Sequence, residues 1–322
     1  MDPVLVTTGL SRRFGDNWAV RQLTLSVERG QVFGFLGPNG AGKTTTVRLM
    51  NGILEASEGS ATVLGMNPIT HGAEIRRHTG VLTESPSLYE ALSARENLHF
   101  SGEVYGVPAN ELPRRIDALL DRFGLLDRAT EKVGAYSRGM KQRLAVARAL
   151  LHEPELVFLD EPSAGLDPAA ARDMLDLVRD LSHRQGRTIF MCTHNLVEAE
   201  RLCDLVGVIH RGRLRALGSP ADLARQLWNH TLIEVDLRGV LDDPVRQAIL
   251  NVRGVQGLDR DGDLTLVQVS DPEVAPALVQ AIVSAGGQIY GLRQRNHGLE
   301  DVYFALEHGE KSETGSESSP DA

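Results

Sequence analysis

Cysteine is scarce in this chain: Cys192 and Cys203 are the only two, and both fall in apolar patterns that read as core. That count rules out a disulfide framework and suits a reducing compartment. Long apolar runs are missing too. Nothing approaches the roughly 18 residues of a membrane span, and the N-terminal segment has no signal-peptide stretch. The expectation is a cytosolic protein, peripheral if it serves a membrane. Basic charge is in deficit, with 34 Lys and Arg against 43 Asp and Glu and a net charge of −9, which argues against nucleic acid as a main ligand. His230, His297 and His308 have no ligand spacing and read as surface or core histidines. No internal repeat is visible. What remains is 42% hydrophobic and 24% charged, a globular composition long enough for about two domains.

The most informative stretch is GPNGAGKTT: Gly37, Pro38, Asn39, Gly40, Ala41, Gly42, Lys43, Thr44 and Thr45. It follows an apolar run, Val32 to Leu36, and precedes a helical pattern carrying Val47, Leu49, Met50 and Ile53. Strand, glycine-rich loop and helix form the context in which G-x-x-x-x-G-K-[ST] acquires meaning. Glycines let successive N–H groups point into one concavity, and the helix adds its positive end, so an anion is held there. The pattern predicts a nucleotide site, with Lys43 reaching the β- and γ-phosphates of ATP and Thr44 giving its hydroxyl to Mg²⁺.

Around this stretch the pattern predicts an α/β chain with a mainly parallel sheet. Residues 4–8 and 20–27 alternate as antiparallel strands around a loop from Ser11 to Trp18, and a short strand lies near Ala61–Leu64. Residues 86–136 turn helical, with segments at Ala94–Tyr105 and Pro113–Phe123, and form an inserted helical subdomain. Apolar runs at Leu156–Leu159, Thr188–Cys192 and Leu205–Ile209 alternate with helices at 139–152, Ala169–Leu181 and Asn195–Cys203, the signature of buried parallel strands. The first domain is expected over residues 1–218. Beyond Gly218–Pro220, strands at 231–237, 263–269 and 288–292 with helices at Pro244–Val252, Pro272–Ala285 and Leu299–Glu307 predict a small α/β domain over 219–308, without evident chemistry. The acidic tail, 309–322, is expected to be disordered.

Three further motifs follow in order: YSRGM from Tyr136, LVFLDEPSAGLD from Leu156 to Asp167, and THN with His194 after an apolar strand. With the phosphate loop they resemble the nucleotide-binding subunits of ATP-binding cassette (ABC) transporters, over about Val4 to Leu217. The resemblance implies a P-loop NTPase fold and ATP hydrolysis. YSRGM looks like the LSGGQ signature, LVFLDEP like Walker B, SAGLD like the D-loop and His194 like the H-loop switch. Asp160 would hold Mg²⁺, since a hard cation takes carboxylate oxygen. Glu161 is the candidate general base, and His194 would donate to the γ-phosphate. Phe14, before Gly15, resembles the A-loop aromatic that stacks on adenine, and Trp18 is a second candidate.

Two positions depart from the family pattern. Glu84 stands where the Q-loop glutamine is usual. It can ligate Mg²⁺ but adds negative charge near the triphosphate. Arg138 stands where glycine is commoner. The resemblance further implies that Ser137, Arg138, Gly139 and Asp167 complete the nucleotide site of an opposing subunit. With one set of motifs in the chain, two copies, or one copy and a similar chain, would sandwich two ATP molecules, and the complete set favours a homodimer. A separate integral membrane permease would dock on residues 86–136 from the membrane, leaving the chain peripheral on the cytoplasmic face. The variant motifs look like the branch serving ABC-2-type exporters and antibiotic-resistance ATPases. The alternatives are a soluble, non-transport ABC-type ATPase and a non-hydrolysing regulatory module.

Overall fold

The computed structural model describes residues 3–314 except 86, 229, 240 and 296. The chain divides into two compact units, Met1–Ser219 and Pro220–Ala322. The first opens with β1 (Pro3–Phe14) and β2 (Asn17–Glu28), then β3 (Val32–Leu36), α1 (Lys43–Met50), β4 (Glu58–Val63), α2 (Pro68–His78) and β5 (Thr79–Leu82). The helices α3 (Ala94–Val104) and α4 (Leu112–Arg122) follow, with short 3₁₀ turns at Leu126–Arg128 and Val133–Ala135, and then α5 (Arg138–Leu150). The unit ends with β6 (Leu156–Asp160), α6 (Pro168–His183), β7 (Thr188–Thr193), α7 (Leu196–Leu202), β8 (Leu205–His210) and β9 (Arg213–Gly218).

The main sheet has the order β5-β6-β7-β3-β8-β9, parallel except for β9. Its central strands are buried on both faces, as their unbroken apolar sequences require. Phe33, Phe35, Phe158 and Phe190 interlock in the middle, with ring centroids 5.0 Å apart for Phe33 and Phe190. In a parallel sheet the carboxyl ends of the strands open onto ligand crevices. Here three neighbours, β6, β7 and β3, end at Asp160, Thr193 and Leu36. Walker B, the histidine and the phosphate loop are thereby set side by side.

A second, three-stranded antiparallel sheet has the order β2-β1-β4. The loop expected from Ser11 to Trp18 is instead almost all strand. Arg13 pairs with Trp18 and Phe14 with Asn17, leaving Gly15 and Asp16 as the turn, with Gly15 at φ 57°. Cross-strand hydrogen bonding prevailed over the polar composition that suggested a loop. Helix α2 and strands β5 and β9 were also not foreseen. β5 is only four residues long, and α2 joins it without an intervening turn residue.

The second unit contains α8 (Pro220–Leu227), β10 (Thr231–Asp236), α9 (Asp243–Leu250), β11 (Val255–Asp261), β12 (Leu264–Val269), α10 (Ala275–Ser284), β13 (Gly291–Arg295) and α11 (Leu299–Thr314). Its antiparallel sheet has the order β11-β12-β10-β13, which with its two crossover helices is the βαββαβ arrangement. Ile233, Val235, Val267 and Val269 meet Val245, Ile249, Leu278 and Ile282 in one core. Strand β11 was not foreseen, because VQGLDRD alternates poorly and is largely exposed. The tail expected to be disordered from residue 309 is helical as far as Thr314, and residues 315–322 lie outside the described residues.

Candidate functional site

Six residues bridge β3 and α1. Gly42 closes that loop as the N-cap of α1 at φ 113°, a conformation that favours glycine, and a Cβ there would lie 2.3 Å from the carbonyl oxygen of Ala19. At Gly37 a Cβ would lie 2.3 Å from the carbonyl oxygen of Ile209. The two glycines thus let the loop lie flat on β2 and β8. The first N–H groups of α1 have no intrahelical acceptors and face the concavity.

The concavity is a cavity of 280 Å³ lined by Pro38, Asn39, Gly40, Gly42, Lys43, Thr44 and Thr45, with Ala19, Glu84, Asp160 and Glu161 completing the wall. Gly37 immediately follows β3 and Ala41 is buried. The Lys43 side chain is buried, and its ammonium donates to the main-chain oxygen of Gly37 at 2.5 Å, with Glu161 Oε1 at 3.7 Å. A buried ammonium held mostly by neutral carbonyls has strong affinity for an incoming anion.

Thr44 Oγ1 donates to Asp160 Oδ2 across 3.0 Å. Two oxygens at that spacing fit adjacent corners of the octahedron around Mg²⁺, whose edge for bonds of 2.0–2.1 Å is about 3 Å. Burial pushes the Asp160 carboxyl above its ordinary range; the Thr44 hydrogen bond opposes this, and Glu161 adds to it. The donor set therefore fits a hard divalent cation beside a triphosphate. Because the folded-state pKa lies above the unfolded value, stability falls as pH rises through that window, and the whole penalty is present at neutral pH. Asp160→Asn is accordingly expected to raise the melting temperature of the Mg²⁺-free protein by a few degrees at pH 7 and by less at pH 4. Calorimetry finding equal or lower melting temperatures at pH 7 would contradict the desolvation cost.

Glu161 follows β6 with a left-handed backbone, φ 50°, uncommon for a residue with a side chain. Its N–H donates to Cys192 O, and its carboxylate accepts from His194 Nδ1 at 2.8 Å and from Thr193 Oγ1 at 3.3 Å. An ionised carboxylate only accepts, so Nδ1 carries the hydrogen. His194 is 63% exposed in its side chain, while Glu161 is 10% exposed, so the carboxylate is fixed and the imidazole is free to turn. Asn195 caps the next helix, its side chain accepting from Glu198 N.

The remaining sequence candidates lie elsewhere. Ser137 is the N-cap of α5 and accepts from Met140 N. Arg138 is exposed and lies against Gly165, while Gly139 faces Leu166. Asp167 caps α6, accepting from Ala169 N and Ala170 N. None of Ser137, Arg138, Gly139 and Asp167 lines the phosphate-loop cavity; Arg138 and Gly139 share a surface with the loop that ends at Asp167. Phe14 is 46% exposed with the Arg12 guanidinium 4.7 Å above its ring, and neither it nor Trp18 lines the cavity. Glu84 does, at the rim, and its charge reaches Asp160. Sequence reasoning missed Ala19, Thr193 and Gln142. Gln142 donates to Pro162 O and so anchors the turn after Glu161. Its place one helical turn after the signature was the available signal.

Comparison with known proteins agrees with this geometry. A family profile described as ABC transporter matches residues 20–164. The bacitracin transport ATP-binding protein BcrA of Bacillus licheniformis is 42% identical over 214 residues, 66% of this chain and 69% of that protein. The daunorubicin resistance ATP-binding protein DrrA3 of Streptomyces coeruleorubidus is 36% identical over 95% of this chain and 96% of its own length. The chain belongs to the ABC transporter ATP-binding proteins. A solved ATP-binding subunit of an ABC transporter superposes with a TM-score of 0.65 at 34% identity, covering 70% of this chain and 93% of that one. As an ABC ATPase the protein binds and hydrolyses ATP, with the P-loop NTPase fold read from its motifs. Among the described residues no helix is long and apolar enough to cross a membrane.

Proposed function

We propose that this ABC ATPase powers an ABC-2-type exporter, binding Mg²⁺-ATP between two copies of the chain and driving a separate membrane permease. What carries the reading is the division of its motifs. The P-loop, Asp160 and Glu161 surround one cavity, while Ser137, Arg138, Gly139 and residues 165–167 form another surface outside it. Each copy then supplies its signature surface to the other's triphosphate. Lys43 binds the β- and γ-phosphates, and Thr44 and Asp160 would hold Mg²⁺, which would supply charge to neutralise the developing phosphate charge. Glu161 orients the attacking water and takes its proton. His194, released from Glu161, donates to the γ-phosphate, so one imidazole reports whether that group is present. Phe14 or Trp18 provides a π face for adenine at the outer end. The similarity to bacitracin transport and daunorubicin resistance proteins supports export, and the cargo is chosen by the permease.

The deciding experiment is affinity purification of the tagged chain from native membranes. An integral protein with several apolar spans should co-purify, and its transport should stop with Glu161→Gln. Recovery of the chain wholly in the soluble fraction, fully active and without a membrane protein, would favour a non-transport ATPase instead. Glu84→Gln restores a neutral amide at the cavity rim. It should leave ATP turnover within about threefold of wild type, because Glu84 is exposed and Thr44 and Asp160 remain. Complete loss of turnover would give that carboxylate a specific catalytic role.

A further inference from the structure

A second cavity, of 250 Å³, lies away from the nucleotide, between α4 and the ends of α5 and α6. Four arginines converge on it, Arg114, Arg115, Arg122 and Arg187, against the single lining carboxylate of Glu153. In a chain with a net charge of −9, this local excess has the opposite sign to the whole. Two of the guanidiniums are neutralised by neighbours. Arg115 pairs with Glu111 at 2.6 Å and with Glu153 at 3.3 Å, and Arg122 pairs with Asp180.

Among the described residues the other two have no carboxylate within ion-pair distance. Arg187 is half-buried, and its donors reach only neutral oxygens, Pro154 O through Nη1 and Gln185 Oε1 through Nε. Burial lowers its pKa, and the more distant charge of Glu153 only partly opposes this. Arg114, in the first turn of α4, is exposed and makes no side-chain hydrogen bond or ion pair among the described residues. The partly desolvated guanidinium of Arg187 is costly without a counter-charge, and the planar fork of either arginine matches the oxygens of a phosphate. Leu150, Leu151 and Leu181 form an apolar floor that strengthens such a contact.

We propose that this cavity is a second anion site, taking a small phosphate-bearing anion of about pyrophosphate size, with Arg114 and Arg187 as its principal ligands. The volume corresponds to roughly eight water molecules at about 30 Å³ each, enough for two linked phosphate groups. The position gives occupancy a consequence. Arg114 belongs to the inserted helices, whereas Arg187 immediately precedes β7, the strand that leads to His194. A bound anion ties the insert to that strand.

Calorimetric titration of inorganic pyrophosphate into the full chain carrying Lys43→Ala tests this without competition from the phosphate loop. One site per chain is expected, weakened by added KCl. Adding Arg114→Gln and Arg187→Gln should weaken it tenfold or more. In the background with Lys43 intact, the same two substitutions should leave ATP affinity within twofold, so failure here and failure of the nucleotide reading are separable. Should Lys43→Ala not fold, the titration is made on wild-type protein saturated with a non-hydrolysable ATP analogue. Absence of binding in folded protein, or binding indifferent to both arginines, overturns the site. A parallel fall in ATP affinity also overturns it, because the arginines would then act on the fold as a whole.

Discussion

Glu161→Gln lowers ATP hydrolysis by about 10²–10⁴-fold, the range that one positioned general base contributes. The substitution keeps size and shape, so the φ of 50° at this position and the hydrogen bond from Glu161 N to Cys192 O persist. What is lost is the proton acceptor. ATP then binds without being consumed, and the two copies remain closed around it. The measurement is ATP turnover alongside size-exclusion chromatography in Mg²⁺-ATP. Near-normal turnover would remove Glu161 from the chemistry. A variant that stays monomeric at high concentration in ATP would instead count against the shared site while leaving the base assignment standing.

Lys43→Ala acts one step earlier. Its side chain is 7% exposed and its ammonium lies within reach of the loop oxygens and Glu161, so it is already aimed at the place a phosphate occupies. Hydrogen bonds to charged groups are each worth about 1.5–3 kcal/mol, and losing two such contacts weakens nucleotide binding by roughly 100-fold or more. Equilibrium binding of a fluorescent ATP analogue measures this directly. The alanine also leaves Glu161 without its nearby cation, so hydrolysis disappears even at saturating nucleotide. Unchanged affinity would refute the phosphate-loop assignment.

The site was more legible than the scaffold around it, for physical reasons. Phosphate binding needs glycines at defined φ, a cation and a hydroxyl in fixed succession, so Gly37 to Thr45 could be read directly from the sequence. The strands under it were equally plain, because burial on both faces leaves a continuous apolar run such as Val157, Phe158 and Leu159. Edge elements were not. Strand β9 alternates partly exposed residues, and β11 is exposed along much of its length, so neither carries a burial signal. The hairpin at Gly15–Asp16 failed for a related reason: Arg12, Arg13 and Asn17 look like loop residues until their cross-strand partners are known. Phe14 and Trp18 are assigned to adenine by resemblance alone; neither lines the phosphate-loop cavity, whose wall includes Ala19. Thr193, a donor to Glu161, stands beside His194 and was overshadowed by it.

The left-handed backbone at Glu161 sets heat resistance and activity at odds. Holding an L-residue in that region costs on the order of 1–2 kcal/mol, which glycine largely avoids. A screen that rewards only survival at high temperature would therefore admit glycine at position 161 and enrich chains that no longer turn over ATP. Laboratory evolution toward a thermostable form of this protein has to score catalysis in every round, or the proton acceptor is among the first things discarded.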